Sequence, residues 1–210
     1  MLIAIDVGNS NIHLGEFTGK KLRLKKSFCF PHTEDGYREF YTQLARYSLN
    51  DALIISDARS NKALRKNEEF LHIAQRFCKF IILQSNKFWG LKIHYQPKQS
   101  LGTDRIIGAY CAYLDYRKDL VTVDFGTATT INLVTKKGEY LGGLILPGVA
   151  SIINSYPTHL LKYTQSTRFI SAPNPITTTT SQGIKIGLYY TIILPILEVI
   201  KNYEKMLKSK

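Results

Sequence analysis

The chain opens on an unbroken apolar run rich in β-branched residues, Leu2–Val7, stopped by Gly8-Asn9-Ser10. Two further extended runs, 12–17 and 22–30, flank the turn Thr18-Gly19-Lys20-Lys21, so the pattern predicts three consecutive strands joined by tight turns. A helix is expected near 35–47, a short buried strand at 52–56, a long helix around 61–77 and another buried strand at 80–83. That alternation predicts a sheet covered by helices. Apolar residues at 106, 107, 110, 113 and 114 have helical spacing and predict a helix over 104–116. Runs at 120–124, 131–135 and 139–146 form a second set of three strands, and Pro147-Gly148 opens a helix. Residues 171–180 read as a loop. From about Ser181 a long helix leads to the lysine-rich end, with a kink expected at Pro195.

The two strand triplets share a signature. Asp6-Val7-Gly8-Asn9-Ser10-Asn11 and Asp124-Phe125-Gly126-Thr127-Ala128-Thr129 each end an apolar strand in Asp-x-Gly, continue with small hydroxyl or amide residues, and re-enter a strand. They lie 118 residues apart, a little over half the chain. One Asp-x-Gly is weak. Two, each opening a three-strand run, imply an internal duplication and two α/β halves facing one another across a cleft.

Composition narrows the class. With 44% hydrophobic and 21% charged residues, the 210-residue chain can bury a substantial core, which excludes disorder. A net charge of +12 suits anionic partners such as nucleic acid, an acidic membrane or a phosphorylated metabolite. Cys29, Cys78 and Cys111 form no C-x-x-C pair, and the five histidines have no metal spacing, so neither a disulfide framework nor a structural zinc site is expected. Residues 1–6 carry no basic leader, and the apolar run 189–200 is expected to be too short to span a membrane, broken as it is by Pro195 and Glu198. The expectation is a reduced, cytoplasmic, soluble protein.

The Asp-x-Gly turns carry the chemistry. A hairpin of this kind can offer several backbone N–H groups to phosphate oxygens, with glycine allowing close approach and Asn9, Ser10, Thr127 and Thr129 adding donors. The aspartate can hold a cation beside the same oxygens. Standing alone, each turn would more often be an ordinary Asx hairpin; the duplication reverses those odds. Neither a P-loop nor a dinucleotide G-x-G-x-x-G is present. Gly102-Thr103-Asp104-Arg105 precedes a helix: Thr103 could cap it and Asp104 could merely favour its dipole. Alternatively, Asp104 could take a proton from a substrate hydroxyl while Arg105 grips a carboxylate. Gly142-Gly143-Leu144-Ile145-Leu146-Pro147-Gly148 reads equally as a tight strand-to-helix corner or a ligand contact. The threonines of 177–180 could cap the last helix or face a ligand.

Together, and in this order, the motifs at Asp6–Ser10, Gly102–Arg105, Asp124–Thr129 and Gly142–Gly148 closely resemble those of type III pantothenate kinases. The resemblance runs from residue 2 to about 190. It implies a duplicated actin-like (ribonuclease H-like) ATPase fold, with halves at 1–115 and 116–210 flanking a nucleotide cleft. It also implies ATP-dependent phosphorylation of pantothenate, the first step toward coenzyme A, with Mg2+ or another divalent metal and K+ or NH4+. By position, Asp6, Val7, Gly8, Asn9, Ser10, Asn11, Ile12 and His13 correspond to the first phosphate loop, Asp6 near the divalent metal, and Thr127 to an ATP contact. Asp104 corresponds to the general base. Tyr95, Gly102, Thr103, Asp104 and Arg105 correspond to the pantothenate site, completed by a threonine best matched by Thr177. Asp124 corresponds to the ligand of the monovalent cation. The resemblance further implies a homodimer and is compatible with an accessory role; from the residues themselves, neither a membrane nor a nucleic-acid partner is expected. The chain departs from the family at 56–61, where Ser56-Asp57-Ala58-Arg59-Ser60-Asn61 replaces a Ser-x-Val-x-Pro-like segment, and it is shorter than most members.

Two other classes stay open. The charge admits a nucleic-acid-binding or transcription-accessory protein, although the cations are spread along the chain without a recognised binding signature. A phosphatase or ATPase on the same fold is the other, because a fold fixes no reaction.

Overall fold

The computed structural model describes residues 1–48, 50–57, 67–83, 90–164 and 174–208. The chain divides into two compact units, Met1–Asp115 and Tyr116–Lys210.

In the first unit, β1 (Leu2–Val7), β2 (Asn11–Thr18), β3 (Arg23–Pro31), β4 (Ala52–Asp57) and β5 (Lys79–Ile82) form one sheet in the order β3-β2-β1-β4-β5. β1, β2 and β3 are antiparallel neighbours, whereas β4 lies parallel to β1 and β5 parallel to β4. Alternation decides which face is buried. Ile3, Ile5 and Val7 of β1 share a face with Ile12 and Leu14 of β2 and with Leu53 and Ile55 of β4. Among the described residues two helices cover that face: α1 (Glu34–Leu44) brings Phe40 and Leu44, and α2 (Glu68–Ala74) brings Phe70 and Ala74. Each Phe or Leu side chain, once buried, contributes roughly 1.5–3 kcal/mol. Both helices start where their sequence dictates: Thr33 Oγ1 accepts from the Gly36 N–H at 3.1 Å and Asn67 Oδ1 from the Phe70 N–H at 2.8 Å. Residues 61–66 of the long helix expected over 61–77 lie outside the described residues, as do 58–61 of the altered segment.

A polar pair enters this core. Glu16, on the buried face of β2, accepts a hydrogen bond from the Tyr47 hydroxyl at 3.0 Å, and the Gln43 amide donates to the same hydroxyl at 2.9 Å. Burial, aided by the Glu16 carboxylate, pushes the Tyr47 phenol up to about 12. On the outer edge strand β3, Arg23, Lys25 and Lys26 are exposed and guard an open sheet edge, which accounts for part of the positive charge. A two-residue strand, β6 (Lys92–Ile93), precedes helix α3 (Thr103–Tyr116).

In the second unit, β7 (Leu120–Phe125), β8 (Ala128–Val134) and β9 (Glu139–Pro147) form an antiparallel meander like β1–β3. Among the described residues three helices follow, α4 (Val149–Asn154), α5 (Thr158–Leu161) and α6 (Thr180–Lys208). Ile184, Leu188 and Ile192 recur every fourth residue on α6 and pack with Val149, Ile152, Tyr156 and Leu160. The expectation of an apolar stretch too short to span a bilayer is corrected here. α6 runs 29 residues, straight through Pro195, and is long and apolar enough to cross a membrane by length and composition. Its stripe Ile184, Leu188 and Ile192 packs within the unit. The short α5 was not foreseen.

Candidate functional site

Each Asp-x-Gly motif forms a closed turn. In the first unit, Asp6 pairs with His13 and Val7 with Ile12 across the hairpin, and the Gly8 N–H donates to the Asn11 carbonyl at 3.0 Å. In the second, Asp124 pairs with Thr130 and Phe125 with Thr129, and the Gly126 N–H donates to the Ala128 carbonyl at 3.1 Å. Glycine closes the hairpin in both, with one residue fewer in the second loop. Both motifs thus close through the same kind of backbone bond from their glycine.

Asp6 and His13 are exposed on one face, opposite the buried Val7 and Ile12. Asn9 and Ser10 are exposed at the tip and Asn11 is half-buried, so the loop can present N–H groups and side-chain donors outward. The parallel register adds a residue that the motif analysis did not assign. Ser56 of β4 lies opposite Asp6, and its hydroxyl is buried without a hydrogen-bond partner among the described residues. The second unit repeats the arrangement. Thr130 stands across from Asp124 with its hydroxyl likewise buried and unpartnered among the described residues. Each motif carboxylate therefore has a hydroxyl oxygen beside it. A carboxylate with a neutral oxygen is a donor set that suits a hard cation. Asp124 itself is exposed rather than held in a buried strand, because β7 is half-buried along its length and opens at Asp124 and Phe125.

Gly148 completes the second turn. A Cβ at this position would run into the carbonyl oxygens of Gly126 and Thr127, so the strand-to-helix corner rests directly on the Asp-x-Gly loop. Pro147 pairs with Ala128 in the same register, and Gly148 caps α4. Thr127, at the tip, is exposed.

The Gly102–Arg105 motif begins α3, and its capping differs from expectation. The Gly102 carbonyl accepts from the Ile106 N–H at 3.3 Å, placing Gly102 at the cap and Thr103 inside the first turn, where it is buried. The Asp104 carboxylate folds back into the space a Cβ on residue 102 would fill, so a larger residue there would displace it. Arg105 is 7% exposed and its guanidinium lies 5.4 Å from the centre of the Tyr95 ring. Structure thus joins Tyr95 to Arg105 and Asp104 to Gly102.

At the start of α6, the Thr179 hydroxyl accepts from the Gln182 N–H at 3.3 Å, so Thr179 takes the capping role. Thr177, half-buried just upstream, is left for other use.

A family profile described as type III pantothenate kinase matches residues 2–202. The chain belongs to the type III pantothenate kinase family. A type III pantothenate kinase of Anaeromyxobacter sp. (strain Fw109-5) is 34% identical over 195 residues, covering 90% of this chain and 76% of that protein. One from Myxococcus xanthus (strain DK1622) is 31% identical over 201 residues with the same coverage. Among solved structures, the type II variant of the Aquifex aeolicus Ppx/GppA phosphatase aligns with a TM-score of 0.41 at 12% identity, over 75% of this chain and 55% of that one. A putative N-acetylglucosamine kinase from Porphyromonas gingivalis aligns with a TM-score of 0.41 at 13% identity, over 78% and 57%. Likenesses this low add no weight to the family assignment.

Membership leaves open which residues act. Ser56 and Thr130 were not singled out as site residues, because the strand pairings that set them beside the motif aspartates are not marked by any local pattern.

Proposed function

We propose that this type III pantothenate kinase family member transfers the γ-phosphoryl group of ATP to the primary hydroxyl of pantothenate, at the entry to coenzyme A synthesis. The carrying observation is the pair of closed Asp-x-Gly turns, one per unit, each with a buried hydroxyl beside its carboxylate. We assign the two units to the two halves of a duplicated actin-like fold, each bringing one turn to ATP.

In this reading the loop Asp6–His13 receives phosphate oxygens through its backbone N–H groups, and Thr127 touches ATP from the second turn. Arg105, over the ring of Tyr95, forks onto the pantothenate carboxylate, with Gly102, Thr103 and Thr177 lining the same substrate. Asp104 orients the primary hydroxyl and accepts its proton. The hydroxyl oxygen bonds to the γ-phosphorus as the bond to the bridging β-γ oxygen breaks, and ADP leaves. Asp6 with Ser56 supplies oxygen donors for a divalent metal such as Mg2+, and Asp124 with Thr130 for K+ or NH4+. When bound, such cations offset the phosphate charge. The exposed apolar residues Tyr190, Leu194 and Leu197 of α6 favour a homodimer, and we place the enzyme in the cytoplasm.

The test is ADP release with and without pantothenate, in potassium and then in sodium. Release that requires pantothenate supports the proposal. Hydrolysis indifferent to pantothenate points to an ATPase, and salt-sensitive nucleic-acid affinity without turnover to a binding protein.

A further inference from the structure

His32 lies in the turn between β3 and α1, and no motif includes it. Its Nε2 is 2.8 Å from the carbonyl oxygen of Gly8, in the middle of the first Asp-x-Gly loop, and its Nδ1 is 2.9 Å from the Tyr37 hydroxyl. A carbonyl can only accept, so Nε2 carries the hydrogen and donates. In the neutral ring Nδ1 is then the acceptor for the Tyr37 O–H, and both ring nitrogens are satisfied. The ring is fixed from behind as well. Its centre is 5.6 Å from that of the Tyr37 ring, and the Tyr37 N–H donates to the carbonyl of the helix cap Thr33 at 2.9 Å. A continuous set of contacts therefore runs from the start of α1 through Tyr37 and His32 to Gly8.

The consequence lies in the geometry of one peptide unit. The Gly8 carbonyl and the Asn9 N–H belong to the same planar trans group and point in opposite directions. Holding the oxygen inward, toward His32, directs the Asn9 N–H away from it, at the loop tip where Asn9 is exposed. A loop that must receive phosphate oxygens loses less freedom on binding when such an N–H is already set. The Gly8 N–H, bonded to the Asn11 carbonyl, fixes the other side of the same residue.

We infer that His32 is a positioning residue for nucleotide phosphate: by binding the Gly8 carbonyl it holds the first Asp-x-Gly loop with the Asn9 N–H turned outward. The inference rests on the proposed role of that loop in ATP binding.

The experiment compares the full chain with H32L, H32Q and Y37F, after thermal melts establish that each folds. It reads MgADP affinity by calorimetry and KM for ATP and for pantothenate separately. H32L should weaken MgADP binding and raise the ATP KM about tenfold, with the pantothenate KM within about twofold of wild type. H32Q, whose side-chain amide can donate to the same carbonyl, should recover most of the loss, a rescue that general destabilisation would not give. Y37F should shift the ATP KM in the same direction by roughly threefold. Unchanged MgADP affinity in H32L overturns the inference, as does an equal rise in both KM values. Should H32L fail to fold, wild-type MgADP affinity in Y37F overturns it instead. If the wild type binds no MgADP, the loop assignment itself fails and takes this inference with it. If the wild type binds and H32L binds equally well, only the role of His32 is lost.

Discussion

The guanidinium of Arg105 lies over the ring of Tyr95, 5.4 Å from its centroid, with only 7% of the arginine exposed. A planar cation held against an aromatic face keeps its fork in one orientation, as a carboxylate-binding residue requires. Lysine keeps the charge but loses both the fork and the stacking surface. Arg105→Lys should therefore raise the KM for pantothenate by about tenfold while leaving that for ATP nearly unchanged. Steady-state kinetics with each substrate varied checks it, and an equal loss for both would mark a structural arginine.

Asp124 and Thr130 face each other across β7 and β8. If they hold the monovalent cation, removing one charged oxygen should weaken potassium activation. Asp124→Asn is expected to raise the potassium concentration for half-maximal activity roughly tenfold or more. Thr130→Val should act in the same direction, more weakly. Potassium titrations of both variants decide; full activity with unchanged potassium dependence would remove Asp124 from the cation site.

The sequence made the strands legible because short β-branched runs bounded by glycine carry local information, and β1 matches its expected range to the residue. Both Asp-x-Gly turns were legible for the same reason. What escaped depends on distant pairing. His32 and Gly8 are 24 residues apart, and Ser56 reaches Asp6 only through a parallel pairing that needs a helical crossover. The cap of α3 was misplaced by one residue, since threonine is the commoner cap and only the bond from the Ile106 N–H to the Gly102 carbonyl, made on folding, marks glycine as the cap. The long helix from about Ser181 to the lysine-rich end was legible, but its apolar length was underestimated, because Pro195 and Glu198 interrupt the apolar run without ending the helix.

Gly148 tests the contact between the strand-to-helix corner and the second turn. Both groups that an added Cβ would meet are backbone carbonyls, which cannot swing aside as a side chain could. Gly148→Ala should destabilise the protein by about 1–3 kcal/mol, read by chemical denaturation. A variant of wild-type stability would show the corner sits farther from the loop than described.

The buried Glu16–Tyr47 pair predicts an alkaline limb. Tyr47, raised from 10.0 to about 12 mainly by burial, stays protonated when folded at pH values where the unfolded chain has ionised. Its contribution is whole below about pH 10 and is lost as pH rises toward 12. Tyr47→Phe should flatten that part of the stability profile. At neutral pH the same variant should cost about 1–3 kcal/mol, because Glu16 loses the hydroxyl that satisfies it. Denaturation midpoints measured between pH 7 and pH 12 separate the two effects.

Phosphoryl transfer to pantothenate with Asp104 as its proton acceptor is tested most directly by following both products at once. Wild-type protein, ATP, divalent metal and potassium are mixed with pantothenate, and ADP and the phosphate monoester are quantified against time. The same measurement is made on Asp104→Asn, which keeps the side chain's size but cannot take the proton. The account predicts one phosphopantothenate per ADP in the wild type, and a folded variant that binds both substrates and turns over at least about a hundredfold more slowly. ADP formed without the phosphate ester, or an Asp104→Asn enzyme as fast as wild type, would contradict it.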